Sequence, residues 1–147
     1  MAAIRAYTTI EQSKKLAEFL PLDTADQCFL NDGTAIKAEI NSYAVAMKLW
    51  KEHYIEIIPC WSLAALMNLL PSEFTERGRY SETTYKIDIR KYALTNDVDL
   101  YQIAYGSIKF DVDGHDSFKD MINTGQKEDL LDAVFQMICW LKENNKI

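Results

Sequence analysis

One stretch constrains this chain more than any other: Ile57-Ile58-Pro59-Cys60-Trp61-Ser62-Leu63-Ala64-Ala65-Leu66-Met67-Asn68-Leu69-Leu70-Pro71. It is the densest apolar run in the sequence, and a proline stands near each end. Ser62 is suited to cap a helix by accepting a backbone N–H bond, and Pro71 stops that helix about two turns later. Leu63, Leu66, Met67 and Leu70 make one face, Leu69 and Ala65 extend it, and only Asn68 is plainly polar. A helix apolar nearly all round is a buried one. The expectation is therefore a core helix on which the rest of the chain packs.

Upstream, Thr8 with Glu11 and Thr9 with Gln12 form two overlapping capping boxes that open a helix ending at Pro21. Cys28-Phe29-Leu30 reads as a short buried piece, Asn31-Asp32-Gly33 as a turn, and Thr34 to Ile40 as a short strand. Asn41 to Tyr54 alternates like a strand at Tyr43, Val45, Met47 and Leu49. It also follows helical spacing at Tyr43, Ala46, Met47, Trp50 and Tyr54. Its Ala, Met, Lys, Leu and Glu content favours a helix capped by Asn41 or Ser42. Tyr54 to Ile58 is then a strand.

Downstream, Ser72 to Ser81 reads as a polar loop. Tyr85, Ile87 and Ile89 alternate with charged residues as a strand with one wet face does. Thr95-Asn96-Asp97 turns the chain, Leu100 to Tyr105 returns, and Gly106-Ser107 turns it again into Ile108 to Val112. Asp113 to Gln126 reads as loop, and Lys127 to Asn144 as an amphipathic helix with acids at its start and Lys142 near its end. The fold class expected is α+β in a single domain spanning 1–147. About four helices pack on one side of a small antiparallel sheet made of a three-strand meander plus short strands.

Charge narrows the partners. With a net charge of −6 and no more than two adjacent basic residues, the chain lacks the basic footprint that nucleic acid and anionic membranes require. Cys28, Cys60 and Cys139 are an odd set without a CxxC pair, each among apolar neighbours, which suits free thiols in a reducing compartment. The N-terminus lacks the apolar region of a signal peptide, and the apolar run at 55–70 is too short and interrupted to span a bilayer. The expectation is a cytoplasmic protein.

Three segments carry a resemblance. Glu11-Gln12-Ser13-Lys14-Lys15-Leu16-Ala17-Glu18 leads to Leu20-Pro21 and Ala25-Asp26. Pro59-Cys60-Trp61-Ser62-Leu63-Ala64-Ala65-Leu66 leads to Leu70-Pro71. Asp132-Ala133-Val134-Phe135-Gln136-Met137-Ile138 leads to Leu141-Lys142-Glu143. Together they resemble a group of small uncharacterised proteins of gut Bacteroidetes and their phages or mobile elements, over most of the chain. The sequence departs from that group where Lys127-Glu128-Asp129 stands in place of Asp-Asn-Pro. The resemblance brings no activity with it, and implies an accessory protein of an intracellular bacterial or phage context.

Four sets of residues bear on function. Cys60 immediately precedes a helix start, where exposed N–H groups favour a thiolate. With His115 as base it would serve a cysteine-dependent hydrolase or transferase, against the plainer reading of a buried thiol at a strand-to-helix turn. Asp111, Asp113 and Asp116 cluster hard ligands, but no calcium-loop frame fits them, and a solvated turn is the plainer reading. Zinc spacing, a glycine-rich phosphate loop and a serine nucleophile elbow are all missing, so no cofactor is expected. Tyr101, Ile103 and Tyr105 share one strand face. That face is either the core one or a partly exposed surface for a protein partner or a second copy. On this reading the chain is a non-enzymatic interaction module, and the cysteine enzyme is its alternative.

Overall fold

Thr9 opens the first element in the computed structural model, which describes residues 5–93, 98–110 and 116–147. Its hydroxyl accepts from the Gln12 N–H, and its own N–H donates to Gln12 Oε1, each at 3.1 Å, so the second of the two capping boxes starts helix α1 (Ile10–Ala17). After a single 3-10 turn come strands β1 (Gln27–Asn31) and β2 (Ile36–Glu39), helix α2 (Tyr43–Trp50), strand β3 (Glu56–Cys60) and helix α3 (Leu63–Leu69). Strands β4 (Glu73–Arg77), β5 (Glu82–Ala93), β6 (Asp99–Phe110) and β7 (Asp116–Asn123) follow, then helix α4 (Leu130–Glu143). The class is α+β, with two antiparallel sheets where one was expected. The chain divides into two compact units, residues 5–69 and 70–147.

In the first unit the strand order is β2-β1-β3, and Phe29 stands opposite both Ala38 and Ile58. Helices lie on both faces of this sheet rather than one. Cys28 and Leu30 pack with Ala46, Tyr43 and Trp50 of α2, whereas Phe29, Ile58 and Cys60 pack with Ile10 of α1. Burial on both faces is why Cys28-Phe29-Leu30 shows no polar alternation. The ambiguous segment is a helix capped by Ser42, whose hydroxyl accepts from the Val45 N–H at 3.3 Å. The strand-like alternation misleads there because Val45 and Leu49 face outward.

The expected core helix is a correction. Within α3 only Leu66 is buried, and Leu63, Ala65, Met67 and Leu69 are half-buried. The deepest helix is α4, which buries Leu131, Ala133, Val134, Met137, Ile138, Cys139 and Leu141.

In the second unit the strand order is β4-β5-β6-β7, and α4 packs on β6. Phe74 joins the layers, with ring centroids 5.4 Å from Tyr85, 5.1 Å from Tyr105 and 6.3 Å from Trp140. The segments 72–81 and 113–126, read as loops, hold the edge strands β4 and β7. Edge strands are short and polar, which erases the apolar alternation that signals a strand.

Gly106-Ser107 does not turn the chain. Strand β6 runs straight through it, and the register against β7 shifts between Tyr105 and Gly106. A Cβ at Gly106 would clash with the Lys119 carbonyl and lie 2.5 Å from the Phe118 ring. The glycine serves close approach at a bulge rather than reversal. The expected third strand is the far half of β6, and the expected turn Thr95-Asn96-Asp97 lies outside the described residues.

On the face of this sheet that carries Phe118, Arg90 ties three strands together. Its guanidinium binds Asp120 through both Nη atoms at 2.7 and 3.1 Å and Asp88 through Nε at 2.6 Å, and sits 5.4 Å above the Phe118 ring. Among the described residues no helix is long and apolar enough to cross a membrane.

Candidate functional site

Cys60 ends β3 and is fully buried. Its thiol donates to the Thr8 carbonyl at 3.7 Å and lies 3.6 Å from Thr8 Oγ1. That hydroxyl shares a 2.7 Å hydrogen bond with Ser13 and accepts from the Trp61 N–H at 3.3 Å. Burial pushes the Cys60 thiol above its ordinary value against the opposing hydrogen bonds from Thr8 and Ser13, and burial first, then Glu39, pushes Cys28 up to about 11. Nor does the start of α3 face the thiol as a free dipole end. The Ser62 N–H donates to Asp26 Oδ1 at 2.8 Å, the Ser62 hydroxyl donates to Asp26 Oδ2 at 2.5 Å, and the Ala65 N–H donates to Ser62 Oγ at 3.1 Å. A carboxylate holds the place where a thiolate would gain.

His115, Asp111 and Asp113 lie outside the described residues, as does the side chain of Asp116 at the start of β7. Among the described residues no three His, Cys, Asp or Glu side chains come together to hold a metal. Tyr101, Ile103 and Tyr105 are 9%, 0% and 0% exposed, so the face they share is the core one and offers no surface to a partner. The Tyr105 hydroxyl donates to the Pro71 carbonyl at 2.6 Å, and its burial raises its pKa.

The surface that stands out is the β1–β2 hairpin. Asn31 Oδ1 accepts from the Gly33 N–H at 3.0 Å, and Asp32 Oδ1 accepts from the Thr34 N–H, the Thr34 hydroxyl and the Ala35 N–H at 2.8, 2.7 and 2.9 Å. Gly33 takes φ +92°, a conformation glycine adopts without strain. These donors, the Ala35 N–H foremost, lower the Asp32 carboxyl from 3.8 to about 2. The turn fixes the register, with Asn31 opposite Ile36 and Cys28 opposite Glu39. Lys37 and Glu39 therefore share one face of β2, and Ile36 and Ala38 the other.

Among the described residues β2 pairs only with β1, which leaves its outer edge open. Ile36 is 44% exposed and Ile40, just past the strand, 83%. No protein-family model, curated protein or solved structure matches this chain.

The edge has apolar company. On the Phe29 face, Tyr7 meets Phe29 edge-on at 6.0 Å, and a groove of about 440 Å³ runs along Tyr7, Ile10 and Phe29. Glu39 Oε1 accepts from the Ile40 N–H and from Asn41 Nδ2, both at 3.1 Å, and steers the chain toward α2. There Val45 and Leu49, one helical turn apart, are 44% and 58% exposed. The sequence does carry this signal, as Ile36, Ala38 and Ile40 alternating with Lys37 and Glu39. What it withholds is that this strand lies at an edge.

Proposed function

We propose that this protein is a non-enzymatic protein-interaction module, acting in the cytoplasm as an accessory protein of bacterial or phage origin, as the resemblance implies. The observation that carries the reading is the open edge of β2 with Ile36 and Ile40 exposed beside it. An edge strand presents unpaired N–H and C=O groups that another strand can pair with, and neighbouring apolar side chains add burial when it does. The short β1–β2 turn presents that edge in a fixed register, which lowers the entropic cost of binding. The rival reading, a hydrolase or transferase using Cys60 with His115, would place its nucleophile on a buried thiol whose pKa is raised.

The test is a photo-cross-linking amino acid placed at Ile40 or, as a control, at Tyr80, which is 89% exposed. Irradiation in the living cell is expected to give a discrete protein adduct from position 40 and none from position 80. Equal labelling at both positions, or none at 40, would sink the reading.

A further inference from the structure

We infer that the partner of the β2 edge is a second copy of this chain, joined antiparallel about a two-fold axis through Ala38. The inference rests on reading residues 36–40 as an interaction edge and adds what occupies it. An axis through Ala38 sets Lys37 opposite Glu39 of the other copy, Ile36 opposite Ile40, and the small Ala38 opposite itself. Directly opposed residues of an antiparallel pair lie on the same face, so the charges meet on one side and the isoleucines on the other.

Neighbouring registers lack this match. An axis through Lys37 or Glu39 opposes like charges, and an axis between residues 37 and 38 sets Ile36 against Glu39. One between residues 38 and 39 sets Lys37 against Ile40. Self-complementarity in a single register is what an isologous interface requires.

The two edges of the sheet also differ. Strand β3 carries Pro59, a residue that strand edges tolerate and that cannot donate to an added strand, whereas β2 has no proline. Pairing through β2 would give one sheet of order β3-β1-β2-β2-β1-β3 across the two copies. It would also cover Ile40, the most exposed apolar residue of the first unit.

A charge exchange tests this in the full chain. Sedimentation over a series reaching hundreds of micromolar should carry the wild type from 16.9 kDa toward twice that mass. Lys37→Glu and Glu39→Lys each place two like-charge pairs across the axis, and each alone should associate at least about tenfold more weakly. Mixed one to one, the two variants restore opposite charges at both pairs and should re-form the dimer. Both sites lie on the surface, and circular dichroism of each variant checks that the fold is kept.

A wild type that stays monomeric overturns the inference, as do single variants that dimerise like the wild type or a mixture that does not. Cross-linking at Ile40 separates the two ideas. An adduct with a different protein alone supports the interaction module and overturns the second copy, whereas an adduct of twice the chain mass supports both.

Discussion

At the level of single residues, hydrogen bonding decides which polar groups are free to do chemistry. Thr8 is fully buried, and its hydroxyl meets Ser13, Cys60 and the Trp61 N–H. Nothing near Thr8 in the sequence announces this, because Cys60 and Trp61 lie more than fifty positions away. A local pattern could reveal only its capping potential. Cys60 was easier to read, since its apolar neighbours already indicated a buried thiol. In native protein at pH 8, Cys60 is expected to resist alkylation, as Cys28 and Cys139 should, and to label only in denaturant. Rapid labelling near pH 6, lost in His115→Ala, would instead bring the hydrolase reading forward. Asp32 makes the opposite case, an exposed carboxyl held charged by the turn around it. Its folded pKa lies below the ordinary value, so its contribution to the turn is complete above about pH 4 and lost as pH falls through about 2. Amide shifts of Thr34 and Ala35 followed by NMR should titrate with a midpoint near 2. A midpoint at the usual 3.8 would mean that the three donors do not hold the carboxylate.

Among elements, those announced by local chemistry were legible and those defined by pairing were not. Caps at Thr9, Ser42 and Asp129 set the starts of α1, α2 and α4, and all three helices stand where their spacing placed them. Strands β4 and β7 were missed because at a sheet edge the neighbour, rather than the strand's own pattern, makes the strand. Gly106 shows the same limit in one position. Glycine followed by serine suggests a turn, and only the approach of Lys119 and Phe118 reveals a bulge. Gly106→Ala is expected to destabilise the protein by about 1–3 kcal/mol, since the new methyl must displace backbone as well as a ring. Urea denaturation measures the loss. A neutral result would mean that β7 shifts away without cost, and that the Arg90–Asp120–Phe118 arrangement does not hold it in place.

For the molecule as a whole, the α+β class could be read from the mixture of helical and alternating segments. The division of strands into two sheets could not, since strand pairing is non-local. Net charge acts at this scale too, and it bears on association more than on fold. Two copies at −6 each repel one another at long range. With their charge centres about 30 Å apart in water, the repulsion is roughly 5 kcal/mol without salt. At physiological ionic strength the screening length is about 8 Å, which cuts that repulsion to well under 1 kcal/mol. The Lys37–Glu39 pairs act at contact distance and contribute only about 0.2–1 kcal/mol each. The long-range term is therefore the larger one at low salt and the smaller one at physiological salt. Dimer formation is expected to strengthen when salt is raised from about 10 mM to about 150 mM. Lowering the pH toward the isoelectric point near 4.9 should have the same effect without added salt, by removing the net charge itself. Sedimentation equilibrium at two salt concentrations decides it. A dimer that weakens steadily with salt would be held mainly by charge pairs, and the apolar contact of Ile36 with Ile40 would then have to be given up.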